Sequence, residues 1–178
     1  MSRLHTVRID QATGHAAQLF GAIKSSIGMV PNAYVTIGSN STVALEAALN
    51  LDGALRKGSL SQKQIEVVKL AVSAVAECDY CLAAHSLMGK HAGLSVEAIR
   101  AIRTASPTGD AAIDALAAFA RRLVRTVGTV PAAVLDEVKA AGYSDAQVVD
   151  TLLAVASITF TNLLNRVNDT IVDFPAAN

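Results

Sequence analysis

Apolar residues return every three or four positions along almost the whole chain, and no long run alternates apolar with polar as a half-buried strand would. The pattern predicts an all-α fold. A first helix is expected over about residues 11–27, ending near Gly28, after which the turn Met29-Val30-Pro31-Asn32 starts a short helix that should stop by Gly38. A third is expected over 41–57, stopped by Gly58. Ser61 with Gln64 has the spacing of a capping box, and the helix it opens carries Ile65, Val68, Val72 and Val75 along one stripe. Another helix spans about 78–92 and terminates at Gly93, a suitable left-handed residue. Ser95 caps the next, whose end is marked by Pro107 and Gly109. Over 110–127, Ile113, Leu116, Ala117, Ala120 and Val124 form a further apolar stripe with arginines opposite, and Pro131 then opens a short helix. The last helix begins at the capping box Ser144/Gln147 and runs to about Val167. It is apolar nearly all round, which predicts burial within the protomer or in a subunit interface.

Setting Ser61 on Ser144 also places Gln64 on Gln147 and Leu70-Ala71-Val72 on Leu153-Ala154-Val155, a weak internal repeat of helical units. Under the same offset Cys78 falls on Thr161, Cys81 on Leu164 and His85 on Asn168. The second unit keeps the scaffold without the chemistry, so one active site per protomer is expected.

Composition narrows the setting. At 178 residues the chain has the length of one domain, 1–178. Lys+Arg and Asp+Glu balance at 15 each, so no global charge favours nucleic acid or an anionic membrane. The cluster Arg121, Arg122 and Arg125 reads as a solvated helix face. Apolar residues make up 52% and aromatics only 4%, so the core must be built from Ala, Val, Leu and Ile, which suits close helix packing. The N-terminal residues lack the apolar centre of a secretory signal, and the longest membrane-span candidate, 152–164, is short and carries Ser157, Thr159, Thr161 and Asn162. A cytoplasmic, reducing location is therefore expected, in which the sequons at Asn40 and Asn168 carry no meaning.

The chain's only two cysteines, Cys78 and Cys81, are three apart, with His85 four further on. A helix turns about 100° per residue, so these three positions fall within roughly 60° of one another on one face. The two Cα atoms would lie about 5 Å apart, within reach of a disulfide that can open and close. As a staple such a bridge would do little, because it closes so short a loop. Sulfurs in a helix's first turn are favoured as thiolates by the unpaired N–H groups there, and His85 can lean back toward Cys81 as base or as imidazolium. Glu66 sits among Ile65, Val67 and Val68 as a partly buried carboxylate. On one straight helix it would be about 18 Å from Cys78, so cooperation demands a break near Ala76-Glu77. Glu77 itself is expected to serve solvent or the helix terminus. Tyr80, between the cysteines, is a hydrogen-bond donor or a packing residue and a poor base at neutral pH.

Glu66, eleven intervening residues and then Cys78-x-x-Cys81-x-x-x-His85 resemble the core of the AhpD-like alkylhydroperoxidase and carboxymuconolactone decarboxylase family. The turn Met29-Val30-Pro31 and the segments Asn165-Arg166-Val167-Asn168 and Asp173-Phe174-Pro175 resemble its peroxidase-related branch. The resemblance implies an all-helical protein assembling into homo-oligomers, trimers or hexamers. It implies a dithiol that reduces a hydroperoxide, needs no cofactor, and is reset by an external dithiol. Carried over by position, Cys81 is the peroxidatic nucleophile, Cys78 the resolving thiol, and His85 with Glu66 a water-linked proton relay; sulfenic acid formation and condensation would close the cycle. Tyr80 stands where members can carry a second histidine, which leaves room for weaker activity or another oxidant. Three rival readings remain: a decarboxylase using acid–base groups alone, a metal site of Cys78, Cys81, His85 and Glu66, and a non-catalytic redox sensor.

Overall fold

The computed structural model describes residues 2–176. The single-domain expectation also takes in Met1, Ala177 and Asn178, which lie outside the described residues. Among the described residues there are nine α-helices and no strand: α1 Gly14–Ile27, α2 Asn32–Asn40, α3 Thr42–Leu55, α4 Gln62–Val75, α5 Asp79–His91, α6 Val96–Thr104, α7 Ala111–Arg125, α8 Ala132–Ala140 and α9 Asp145–Asn168. Both capping boxes form. Ser61 and Ser144 each accept from the backbone of the residue three ahead, while Gln64 and Gln147 return a bond to the cap backbone.

α4 is the centre of the molecule, with α5, α6, α7 and α9 packed round it. Every residue from Ile65 to Ser73 is buried, which places Glu66 and Lys69 in the interior beside Val67, Val68, Leu70, Ala71 and Val72. Interior charges need partners, and both find one. A second, smaller core joins α1, α2 and α3 through Phe20, Ile23, Val30, Val35, Ile37 and Leu45.

Several expected boundaries shift for physical reasons. The first helix starts at Gly14, because residues 9–11 form a separate 3-10 turn and Thr13 is extended. Gly38 does not stop α2. It lies inside the helix, where a Cβ would come within 2.6 Å of the Phe20 ring and 2.8 Å of Leu45, so its role is close approach between helices. α3 ends at Leu55, ahead of Gly58, whose missing side chain makes room for Asp150; that carboxylate accepts from Ser59 N–H and Oγ. Arg121 is half-buried and donates to the Ile102 carbonyl, tying α7 to the end of α6 rather than standing in solvent with Arg122.

α9 departs most from expectation. It runs unbroken for 24 residues, through the positions at which the repeat offset would place the α4/α5 break. By length and composition alone it could cross a membrane, which the short 152–164 stretch did not suggest. Its inner face is polar, with Thr151, Ser157, Asn162, Asn165 and Asn168 buried against the body of the protein. Its outer face is apolar, with Val149, Leu152, Phe160, Leu163 and Val167 exposed.

Candidate active site

The break between α4 and α5 forms where the separation of Glu66 from Cys78 requires one. Glu77 takes a left-handed conformation at φ 50°; its N–H donates to the Ala74 carbonyl, and the N–H of Cys78 donates to that of Ser73. This pair of bonds is a Schellman termination with glutamate where glycine is usual. Glu77 thus serves the helix terminus through its backbone, and Arg166 of α9 secures it by donating to the Glu77 carbonyl at 2.6 Å.

Cys78 ends one helix and caps the next. As the N-cap of α5 it accepts the Cys81 N–H on its sulfur at 3.4 Å. The two thiols are free and buried, with sulfurs 2.7 Å apart. The contact with Cys81 draws the Cys78 thiol below its ordinary range against the opposing effect of burial, helped by the Cys81 N–H and the charge of Arg166. The same contact, followed by burial, pushes the Cys81 thiol up. Of the two thiols, Cys78 therefore gives up its proton the more readily.

Glu66 and His85 meet across the break. Nδ1 of His85 lies 2.8 Å from Glu66 Oε2, while Oε1 accepts from Gln62 at 2.7 Å. With the carboxylate holding Nδ1–H, Nε2 is the nitrogen free for chemistry. The contact is direct, without the intervening water of the expected relay. The ring also turns to α4 rather than leaning on Cys81: among the described residues no direct hydrogen bond joins it to either sulfur. Nor do the carboxylate, imidazole and thiols converge as a group that could hold a metal ion, among the described residues.

Tyr80 lines the same pocket as Cys81 and ties several elements together. Its hydroxyl donates to Asp173 Oδ1 at 2.8 Å and accepts the Ala33 N–H at 3.1 Å, its ring meets Phe174 edge-on, and burial raises its pKa. Asp173 Oδ2 in turn accepts the Asn32 N–H at the start of α2, so the C-terminal strand of chain is fastened over the cysteines.

These elements enclose a cavity of about 320 Å³. Its walls are largely apolar, with Ile23, Ile27, Leu49 and Met88 among them, and Cys81 and His85 both line it. Cys78 does not. A second buried network lies alongside, in which Asp52 accepts from Lys69 and Ser157, each at 2.8 Å, and from Tyr34 at 3.3 Å. Burial acts to raise the Asp52 pKa, but the Lys69 charge and the bonds from Lys69 and Ser157 outweigh it and hold the carboxyl below its usual range.

The sequence reading did not find Asn165 as a site residue. Its Nδ2 donates to Cys81 Sγ at 3.3 Å, from 84 positions away. Thr161 also faces that sulfur. α9, which carries no cysteine, thus supplies polar groups to the dithiol at the start of α5. The one available signal was a run of Thr and Asn on a helix otherwise apolar.

Fold and site together define a helical dithiol protein of AhpD-like architecture. Residues 43–121, which hold Glu66, Cys78, Cys81 and His85, match the model of the carboxymuconolactone decarboxylase family. A peroxidase-related protein from Ralstonia eutropha JMP134, described as an alkylhydroperoxidase AhpD core, is similar with a TM-score of 0.84 and 18% identity, over 97% of this chain and 92% of that one. A cysteine-to-alanine variant of the debrominase Bmp8, in complex with 2,3,4-tribromopyrrole, gives 0.80 and 18% over 97% and 92%. A peroxidase-related protein from Silicibacter sp. TM1040 gives 0.79 and 20% over 96% and 94%. At these identities the likeness is one of fold. Among curated proteins no match is found.

Proposed function

We propose that the protein is a thiol-dependent peroxidase that reduces organic hydroperoxides through a Cys78/Cys81 dithiol–disulfide cycle. The observation that carries this reading is the position of Cys81, in contact with a second thiol and set in the wall of an apolar cavity that also receives the Glu66-held imidazole. Cys78 is the more readily ionised, but Cys81 has the access. At 2.7 Å the proton can pass from Cys81 to Cys78, which puts the thiolate on the cavity side without a proton leaving the site. The Cys81 thiolate then attacks the O–O bond, its sulfur becoming a sulfenic acid while the departing alkoxide takes a proton from the His85 imidazolium. Cys78, in contact with Cys81, then attacks the sulfenic sulfur and gives its proton to the departing hydroxyl, which leaves as water as the disulfide forms. The sum is two thiols and one hydroperoxide giving a disulfide, an alcohol and water. An external dithiol restores the pair by exchange.

A single-turnover experiment tests the cycle. One equivalent of cumene hydroperoxide added to the reduced protein should remove both free thiols and leave an intramolecular disulfide in the mass spectrum. Thiols that persist with peroxide unconsumed would sink the reading. A second reading draws on the likeness to the debrominase solved with 2,3,4-tribromopyrrole. The same two electrons could reduce an aryl bromide to the arene, releasing bromide and a proton as the disulfide forms. Bromide release from tribromopyrrole, with cumene hydroperoxide left intact, would favour it. Decarboxylation by Glu66 and His85 alone would survive Cys81→Ser, whereas neither thiol reaction would.

The reducing conditions of a cytoplasm suit a dithiol that must start each cycle open. The outer stripe of α9 supports assembly with further copies of the same chain, while Asn165 meets the dithiol from the buried side of that helix.

A further inference from the structure

The two sulfurs have different donors. Cys78 has the backbone N–H of Cys81 and the start of α5. Cys81 is faced from α9 by Asn165 and Thr161. The Thr161 hydroxyl has one proton, and it is directed to the Ile158 carbonyl at 3.1 Å. The Asn165 amide has two, and Cys81 Sγ is its hydrogen-bond acceptor. Asn165 is 4% exposed, and its Oδ1 is buried without a partner. A buried amide with an unsatisfied carbonyl is unfavourable for folding alone. Such a group is better explained by what its N–H does for the sulfur.

We propose that Asn165 is a catalytic residue that selects the attacking thiol, its Nδ2–H holding negative charge on Cys81 so that the cavity-side sulfur, and not the helix-capping Cys78, meets the substrate. This rests on the peroxidase reading for its substrate but not for its chemistry, which is the placement of one charge between two sulfurs. A donor hydrogen bond to an ionised acceptor is about twice as strong as one between neutral groups, so the amide favours the Cys81 thiolate over the Cys81 thiol. It thereby opposes the helix start and Arg166, which favour charge on Cys78. Without the amide the proton would pass from Cys81 to Cys78 less readily, and the cavity-side sulfur would be the thiolate less often.

The partition of alkylation between the sulfurs reads this directly. Reduced protein treated with substoichiometric iodoacetamide and digested should carry the label mainly on Cys81, as judged by peptide mass spectrometry. In Asn165→Leu, nearly isosteric and without a donor, the Cys81-to-Cys78 ratio should fall about tenfold, the order expected for one hydrogen bond to a charged group. Asn165→Asp, which keeps the shape and puts an acceptor at the sulfur, should lower it at least as far and serves if the leucine variant does not fold; circular dichroism checks both. An unchanged ratio in a folded variant would reduce Asn165 to packing and overturn the proposal. Alkylation needs no peroxide, so failure of the wild type to consume cumene hydroperoxide, with the ratio still shifting, would remove the peroxidase reading and uphold the donor.

Discussion

At the scale of single residues the two thiols are unequal, and their substitutions should separate them. Cys81→Ser should abolish peroxide consumption. Cys78→Ser should stop turnover after one event and leave a sulfenic acid on Cys81, trapped by dimedone and located by mass spectrometry. Finding the adduct on Cys78 in the reciprocal variant would reverse the roles. In the proposed cycle Glu66 would act through His85, its carboxylate fixing the tautomer and stabilising the imidazolium that protonates the leaving alkoxide. Glu66→Gln keeps the volume and can keep a bond to Nδ1, but loses the charge. We expect turnover to fall by about 10²-fold, the lower end for general acid–base contributions, with helix content unchanged. Stopped-flow kinetics equal to wild type would take Glu66 out of the proton path.

At the scale of elements, the α4/α5 break determines whether the site exists, and Glu77 sustains it in an unfavourable backbone conformation. A non-glycine residue in the left-handed region costs of order 1 kcal/mol relative to glycine. Glu77→Gly should therefore raise stability by about 1 kcal/mol, which for this chain length is about 2–4 °C in melting temperature. A lower melting point would mean that the glutamate side chain contributes more than its backbone strain removes. A second inter-element tie is Asp52 of α3, bonded to Lys69 of α4 and Ser157 of α9. Asp52→Asn should destabilise by about 3 kcal/mol at neutral pH, at the low end for a broken buried pair, since Lys69 is left buried without a counter-charge. The Asp52 carboxyl is held below its usual range in the folded state, so its stabilisation is complete above the unfolded value of about 3.9 and is lost as pH falls through the folded value. The melting-temperature gap between wild type and Asp52→Asn should narrow below about pH 4; a gap constant with pH would point to packing. Features decided by neighbours in sequence were legible: both capping boxes, the helix count and the Cys-x-x-Cys geometry. Features decided across the fold were not. Gly38 looked like a stop because the Phe20 ring that requires it is 18 positions away. The contact of Asn165 with Cys81 was not legible because its partner is a sulfur on another helix, and the expected water between Glu66 and His85 gives way to a direct bond because the closeness of α4 and α5 is set across the break.

At the scale of the whole molecule, α9 is built inside out for a protein that stays a single chain. Its inner side buries Thr151, Ser157, Asn162, Asn165 and Asn168 beside Ala154 and Ile158, and its exposed side carries Val149, Leu152, Phe160, Leu163 and Val167, spaced as a continuous stripe. A stripe of this length rimmed by polar residues is the mark of an interface. A second copy related by a two-fold axis fits it, because antiparallel α9 helices would bring Asp145 and Asp150 at one end toward Arg166 at the other, and the same patch would serve both partners. Three such pairs joined through other surfaces would make a hexamer. Leu163→Glu places a charge in the middle of the proposed seam without touching the core, since Leu163 is 62% exposed. We expect light scattering at micromolar concentration to report an oligomer for the wild type and a smaller species for Leu163→Glu, with helix content conserved. Because Thr161 and Asn165 lie on the same helix as the seam, the dissociated form should also turn over peroxide more slowly, as α9 loses the neighbour that holds it against the dithiol. A wild type that is monomeric at that concentration would leave the outer face of α9 without this partner, and would separate the chemistry of the site from any assembly.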